Sequence, residues 1–240
     1  MINIYFGIDG TDNDDTKRPG ASIGQFGNVN SHVKKICSLG FDRFKYIGGP
    51  TDGTLGLSTD NLARTAIDWI SQKKASHRDV NIFLGGFSRG AAAQIYVAHE
   101  LKSQGISVKA MYLFDAVDRS WSIPSTKSKV IPSNVTNAFH AMRADTTGSR
   151  DKGFLNFGNC GTTGTGGNLV IKTFFSTHGG LGGWRHGNEH LGKNGNIKER
   201  YALNATNVTR LQELSVSMTV WDWMAANMGS TLSSNFELNT

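Results

Sequence analysis

Cysteine is scarce in this chain, at two residues among 240. Cys37 and Cys160 could form one bridge at most, so a disulfide-stapled scaffold is excluded and both read as reduced structural thiols. Proline is thin as well, with four residues against 29 glycines. That balance excludes a proline-rich or collagen-like chain and suits tight turns on a regular scaffold. No apolar run approaches the ~18 residues needed to span a bilayer. The first residues enter a strand-like pattern at once, with no basic and then apolar stretch of the kind that precedes a cleavage site. The expectation is a soluble protein made in the cytoplasm, whose export, if any, uses a machine that needs no cleaved signal. Charge is also modest in density. The net +6 is spread thinly, with no basic run longer than Lys34-Lys35 or Lys73-Lys74. Scattered cations lack the groove-tracking cluster that phosphate backbones require, so no nucleic-acid partner is expected. They still permit attraction to an anionic surface such as phospholipid head groups.

What the chain does contain is an alternation of short apolar runs with helical patterns, which predicts a parallel sheet covered by helices. Strands are expected over residues 2–8, 44–47, 80–84, 108–114, 135–142 and 169–175. Helices are expected over 29–39, ending at Gly40, and from Ser58 onward, where Leu62, Ala66, Trp69 and Ile70 share a face. Two further helices are expected over 91–101 and 204–228. Gly48-Gly49-Pro50 breaks the chain. Residues 148–168 are glycine-rich, carry Phe154, Leu155 and Phe157, and read as a long loop able to act as a lid. No repeat or linker divides the chain, so a single domain over residues 1–240 is expected.

The chemistry begins at Gly86-Phe87-Ser88-Arg89-Gly90. Gly-x-Ser-x-Gly arises by chance often enough, but here it follows the strand over 80–84 and opens the small-residue helix beginning Ala91-Ala92-Ala93. A sharp strand-to-helix turn holds such a serine in a strained conformation, and glycines on either side let the neighbouring elements close in. The helix start aims backbone N–H groups at a developing oxyanion, with the Arg89 N–H as one donor. Ser88 is therefore the candidate nucleophile. An acid and then a histidine should follow in chain order. His178, just past the last strand, is the candidate general base. His140 falls within a strand pattern and reads as packed, while His32, His77 and His99 read as surface residues. For the acid, Asp115 at the end of the 108–114 strand is favoured, with Asp145 and Asp118 as rivals.

At these residues the chain resembles the type VI secretion lipase-effector-like α/β-hydrolase domain family. The resemblance rests on Asp9-Gly10-Thr11-Asp12-Asn13, Gly86-Phe87-Ser88-Arg89-Gly90-Ala91, Phe114-Asp115-Ala116-Val117 and His178-Gly179-Gly180-Leu181-Gly182-Gly183-Trp184. The glycine-rich Gly48-Gly49-Pro50-Thr51-Asp52-Gly53-Thr54 adds to it. Together these cover residues 2–184. The resemblance implies an α/β-hydrolase-like, mostly parallel sheet flanked by helices. It also implies hydrolysis of carboxylic esters, phospholipids among them, without a cofactor. It places the second oxyanion donor in the loop of Gly10 and Thr11. By the same token the partners would be an ester or phospholipid substrate, a transient membrane-surface contact, and an immunity or secretion protein. Gly180 stands where the family usually has an Asp, and the large membrane-docking insertions of the bigger effectors are absent.

Three other readings compete. The clustered carboxylates from Asp9 to Asp15 offer oxygen ligands for Mg²⁺ or Ca²⁺ in a metal-dependent hydrolase, although a solvated acidic turn is the simpler explanation of residues 12–15. His186-Gly187-Asn188-Glu189-His190 matches a zinc-peptidase pattern, but that pattern needs a helix and here it lies among glycines. Finally, a hydrolase fold can serve as a catalytically inactive binding module, since fold alone does not give function.

Overall fold

The computed structural model describes residues 1–11, 31–50, 58–118, 122–149, 158–199 and 204–232. In chain order the elements are β1 (Ile2–Ile8), α1 (His32–Ile36), β2 (Arg43–Ile47), α2 (Thr59–Ser76), β3 (Val80–Phe87) and α3 (Arg89–Ser103). There follow β4 (Val108–Phe114), β5 (Val117–Asp118), α4 (Ser125–Ser128), β6 (Val130–Ile131) and β7 (Val135–Arg143). The last are β8 (Gly158–Asn159), β9 (Thr163–Gly164), β10 (Asn168–Phe174), α5 (His178–Leu181) and α6 (Arg210–Thr231).

Among the described residues, six strands form one sheet in the order β10-β7-β4-β3-β1-β2, every neighbouring pair parallel. Central strands of such a sheet are covered on both faces, which is why β1, β3 and β4 read as nearly continuous apolar runs. Their side chains still alternate. Ile4, Phe6 and Ile8 join Ala63, Ala66 and Ile70 of α2 and the alanines of α3 in one core layer. Tyr5, Phe83, Phe87, Tyr112 and Phe114 turn the other way, onto Val33 and Ile36 of α1 and Val220, Met224 and Met228 of α6. The result is a three-layer α/β fold of the hydrolase type.

After β1 the chain pairs outward to β2, then returns to the other side of β1 to lay down β3, β4, β7 and β10. The direction of growth reverses between β1 and β3. In open parallel sheets, the crevice beyond the strand C-termini at such a reversal is where ligands bind. Asp9-Gly10 after β1 and Ser88 after β3 both fall there.

Several expected boundaries shift. The strand expected over 80–84 runs on to Phe87, and its helix starts at Arg89 rather than Ala91, so the turn between them is Ser88 alone. The helix expected over 29–39 is the short α1; residues 29 and 30 lie outside the described residues. The closing helix starts at Arg210, where Thr209 and Gln212 form a reciprocal capping box, rather than at 204. The stretch read as one long loop over 148–168 contains β8, paired with β5, and β9, paired with β6. Phe154, Leu155 and Phe157 lie outside the described residues, as do Asp12, Asp14 and Asp15. His32 corrects the surface reading given to it: it is 2% exposed, between the rings of Phe114 and Trp221. Its place on the inner face of α1, beside the buried Val33 and Ile36, is what encloses it. No described helix is long and apolar enough to cross a membrane.

Candidate active site

Ser88 is a non-glycine residue at φ 56°, ψ −127°, a conformation that costs an L-residue free energy and persists only when its surroundings enforce it. The surroundings here are close backbones. A side-chain carbon on Gly90 would stand 2.2 Å from Asp9 O and 2.3 Å from Ile8 O, and one on Gly86 would stand 2.6 Å from Ala91 Cα. Only glycine at both positions lets α3 start directly against the ends of β1 and β3. The Ser88 N–H donates to Phe114 O (3.0 Å), and its carbonyl accepts from Ala91 N (3.1 Å) and Ala92 N (3.2 Å). The serine is thus fixed through its own backbone.

Its hydroxyl meets His178. Ser88 Oγ lies 2.9 Å from His178 Nε2, and His178 Nδ1 lies 2.6 Å from Asp115 Oδ2. All three side chains are buried. Burial raises the Asp115 carboxyl, but the Arg143 charge and the His178 hydrogen bond outweigh it and hold the group well below the usual carboxylate range. An ionised carboxylate can only accept, so His178 Nδ1 carries the proton and Nε2 of the neutral ring accepts from the Ser88 hydroxyl. That tautomer is the one a general base needs.

Of the rival acids, Asp145 is exposed in the turn after β7, and Asp118 sits half-buried in β5 opposite Gly158. Of the three, Asp115 is the one the fold brings to the His178 ring. Like Ser88 it has a positive φ, 42°, which turns it sharply off the end of β4. His140 is occupied otherwise. The Ala116 N–H donates to its Nε2 (3.0 Å) and its Nδ1 faces Gly161 O (3.2 Å), so the ring is neutral, pinned to backbone at both nitrogens, and pushed down by burial. His77 and His99 are half-buried, and each places one ring nitrogen near a backbone carbonyl, Lys73 O and Val130 O respectively.

The Arg89 backbone N–H belongs to the first turn of α3, where no earlier helical carbonyl exists to take it. Gly10 comes close from the opposite side: a side-chain carbon on it would lie 3.1 Å from Ser88 Cβ. Its N–H, however, donates to Asp9 Oδ1 (2.8 Å), while Asp9 Oδ2 accepts from the Tyr46 hydroxyl (2.7 Å). Thr11 contributes its hydroxyl, which accepts from Arg89 Nε at 2.6 Å. The loop therefore lines Ser88, with the Gly10 N–H already engaged by its neighbour.

Other residues of the site carry no motif in the sequence. Phe87, the first variable position of the elbow, places its ring 4.8 Å from the His178 ring and against Gly10 and Gly182. Two buried glutamates grip the histidine loop. The His178 N–H is shared between Ser149 Oγ (3.0 Å) and Glu199 Oε1 (3.1 Å), and Ser149 Oγ also donates to Glu199 Oε2 (2.6 Å). Glu213 accepts from the Thr177 hydroxyl and from the His186 N–H (3.0 Å), and its Oε1 lies 2.6 Å from His186 Nδ1. Glu213 could have been noticed, because it falls in register with Ser217, Val220 and Met224 on the inner stripe of α6. His186 and His190 do not share a helix: the former precedes a short 3-10 turn and the latter ends it. Among the described residues, no group of three or more His, Cys, Asp or Glu is arranged to hold a metal ion.

No family model matches the chain, and no curated protein matches it. Solved structures resemble it at low identity. An uncharacterized protein from Pseudomonas aeruginosa aligns over 94% of this chain and 50% of its own, at 14% identity and a TM-score of 0.48. A Tle1 effector bound to the VgrG spike of the type 6 secretion system aligns over 76% of this chain and 51% of its own, at 14% identity and a TM-score of 0.47. The RedJ thioesterase of prodiginine biosynthesis in Streptomyces coelicolor aligns over 75% and 80%, at 12% identity and a TM-score of 0.42. This chain spans about half the length of the first two. At such identities the chemistry has to be argued from the chain's own residues.

Proposed function

We propose that this chain is a serine hydrolase that cleaves carboxylic esters through an acyl-enzyme, with Ser88, His178 and Asp115 as its triad. The observation that carries the reading is the unbroken run of short contacts from Ser88 Oγ to His178 to Asp115, built on a strained elbow. Ser88 Oγ attacks the ester carbonyl carbon as its proton passes to His178 Nε2. The imidazolium so formed is stabilised by ionised Asp115. The oxyanion takes the Arg89 N–H, with a second donor from the loop of Gly10 and Thr11; Gly10 would have to exchange Asp9 for the oxyanion to serve. The tetrahedral intermediate collapses, and the alcohol leaves with the proton from Nε2. Water then repeats the sequence, giving up a proton to His178 and releasing the acid with Ser88 restored.

Lipid acyl esters as substrates, contact with a membrane surface, and delivery by a type VI machine with an immunity partner are the finer parts of this proposal. They rest on the sequence resemblance. A route of export that needs no cleaved signal goes with them.

The test is labelling with a fluorophosphonate, which reports an activated serine whatever the substrate. Wild-type protein should label, and Ser88→Ala should abolish labelling and lower turnover of short p-nitrophenyl esters by a factor of roughly 10³ or more. An unlabelled wild type would favour the inactive binding module, and labelling that survives the substitution would place the nucleophile elsewhere. Activity lost to a chelator would favour the metal reading at Asp9 to Asp15. A p-nitrophenyl series from acetate to palmitate would test the lipid preference.

A further inference from the structure

One oxygen of Asp115 serves both a neutral imidazole and a permanent cation. Its Oδ2 lies 2.6 Å from His178 Nδ1 and 2.5 Å from Arg143 Nη1, while Oδ1 accepts the Arg143 backbone N–H at 3.3 Å. Arg143 ends β7, the strand beside β4, and its side chain is 10% exposed. Its Nε donates to Ser149 O (3.2 Å), and the hydroxyl of the same serine holds the His178 N–H. One short segment after β7 thus fixes the guanidinium and the histidine loop together.

We propose that Arg143 is a positioning residue for the triad: it aims the Asp115 carboxylate and, by sharing its oxygen, makes His178 a weaker base, so that the site keeps working in mildly acidic medium. This rests on the hydrolase reading of the same three residues. A triad acid needs only the imidazole as partner. A permanent cation on the same oxygen partly neutralises the charge that would stabilise the imidazolium, and it stands within roughly 5 Å of that ring, where like charge disfavours protonation.

Among the described residues, other charged and titratable groups stand on or beside the elements that carry the site. Asp9 stands at the end of β1, and Arg89 beside Ser88 at the start of α3. His140 on β7 is neutral and bonded to backbone. Arg185 and His186 follow α5. Glu199 holds the His178 N–H, and Glu213 of α6 acts through Thr177 and His186. The two glutamates would raise the proton affinity of His178, and among these groups Arg143 is the cation that shares the triad carboxylate.

The experiment is an NMR titration of ¹³Cε1-labelled histidine in the full chain, with the His178 signal assigned by its loss in H178Q. In R143Q the His178 midpoint should rise by about one pH unit, and R143K should restore most of the wild-type value. The acid limb of kcat/KM on p-nitrophenyl acetate should move with it, while KM stays unchanged. If R143Q does not fold, R143M, which keeps the aliphatic stem, must show the same rise. A midpoint within about 0.3 pH unit of wild type in the uncharged variant overturns the inference. Fluorophosphonate labelling of wild type separates the two claims. Labelling without a shifted midpoint keeps the hydrolase and removes the role of Arg143; a shifted midpoint without labelling leaves only a charge coupling between Arg143 and His178 and overturns its role in a triad.

Discussion

His32 makes the fold sensitive to acid, and the size of the effect follows from its surroundings. The ring is enclosed by Phe114 and Trp221, and Ser217 Oγ meets its Nε2 at 3.2 Å. Desolvation, with the Lys35 charge and then a smaller push from Arg185, lowers the imidazole to about 3. In the unfolded chain it titrates near ~6.5. Between those values the unfolded chain binds a proton that the folded chain refuses, so stability falls as pH falls. The loss begins below about pH 6.5, reaches about 2 kcal/mol at pH 5, and approaches about 5 kcal/mol near pH 3, where the folded form at last protonates. The last figure is a large part of a typical domain's stability of 5–15 kcal/mol. The assay is urea denaturation at pH 7.5 and pH 5.0 for wild type and for His32→Gln, which keeps a polar group near Ser217 but does not titrate. Wild type should lose about 2 kcal/mol more than the variant over that interval. Equal losses in the two proteins would refute the reasoning and shift the acid sensitivity to other groups, such as His99 and His140, which burial also lowers. The consequence reaches the proposed active site, because the His32 N–H donates to Gly182 O (3.0 Å) and Gly182 is packed on Phe87.

Two further substitutions probe the triad and its scaffold. Asp115→Asn should lower kcat by a factor of roughly 10⁴ with KM little changed, because the amide favours the wrong histidine tautomer. Parallel kinetics on Asp145→Asn and Asp118→Asn should be near wild type, and a dead Asp145→Asn beside an active Asp115→Asn would move the acid to the next strand end. Gly90→Ala forces a methyl into the carbonyls of Ile8 and Asp9, and should cost about 1–3 kcal/mol and abolish fluorophosphonate labelling. An unchanged melting temperature with full labelling would mean that α3 can retreat without disturbing the elbow.

Much of the framework is legible in the amino-acid order. Strands buried on both faces must be apolar nearly throughout, so residues 2–8, 80–84 and 108–114 identify themselves as the middle of a parallel sheet. The elbow is equally local: five consecutive residues contain the glycines that permit the close approach and the serine it strains. The start of α6 is set locally, by the Thr209–Gln212 capping box, whereas the end of β3 moves for a tertiary reason. β3 runs on to Phe87 because Gly85, Gly86 and Phe87 pair with β4, and no local pattern announces a strand containing two glycines. A helix of five residues is too short to display a stripe, so the burial of His32 follows from the sheet beneath α1 and from Trp221 and Ser217 of α6 beside it.

The amino-acid order limited the acid to Asp115, Asp118 or Asp145, since each stands near the end of an apolar run. Which one meets His178 is a matter of strand neighbours. Asp115 donates its N–H to Ala141 O (2.7 Å) across the β4–β7 pairing, and its backward turn carries the carboxylate to the histidine loop. Arg143 joins it because Phe114 pairs with Ala141, which leaves the last residue of β7 beside that carboxylate. Glu199 and Glu213 reach the same loop from 21 and 36 residues away. Hydrophobic periodicity says which face of an element is buried, but a hydrogen-bonded carboxylate depends on where the partner's strand or helix ends in space. Only the parallel register and the packing of α6 supply that distance.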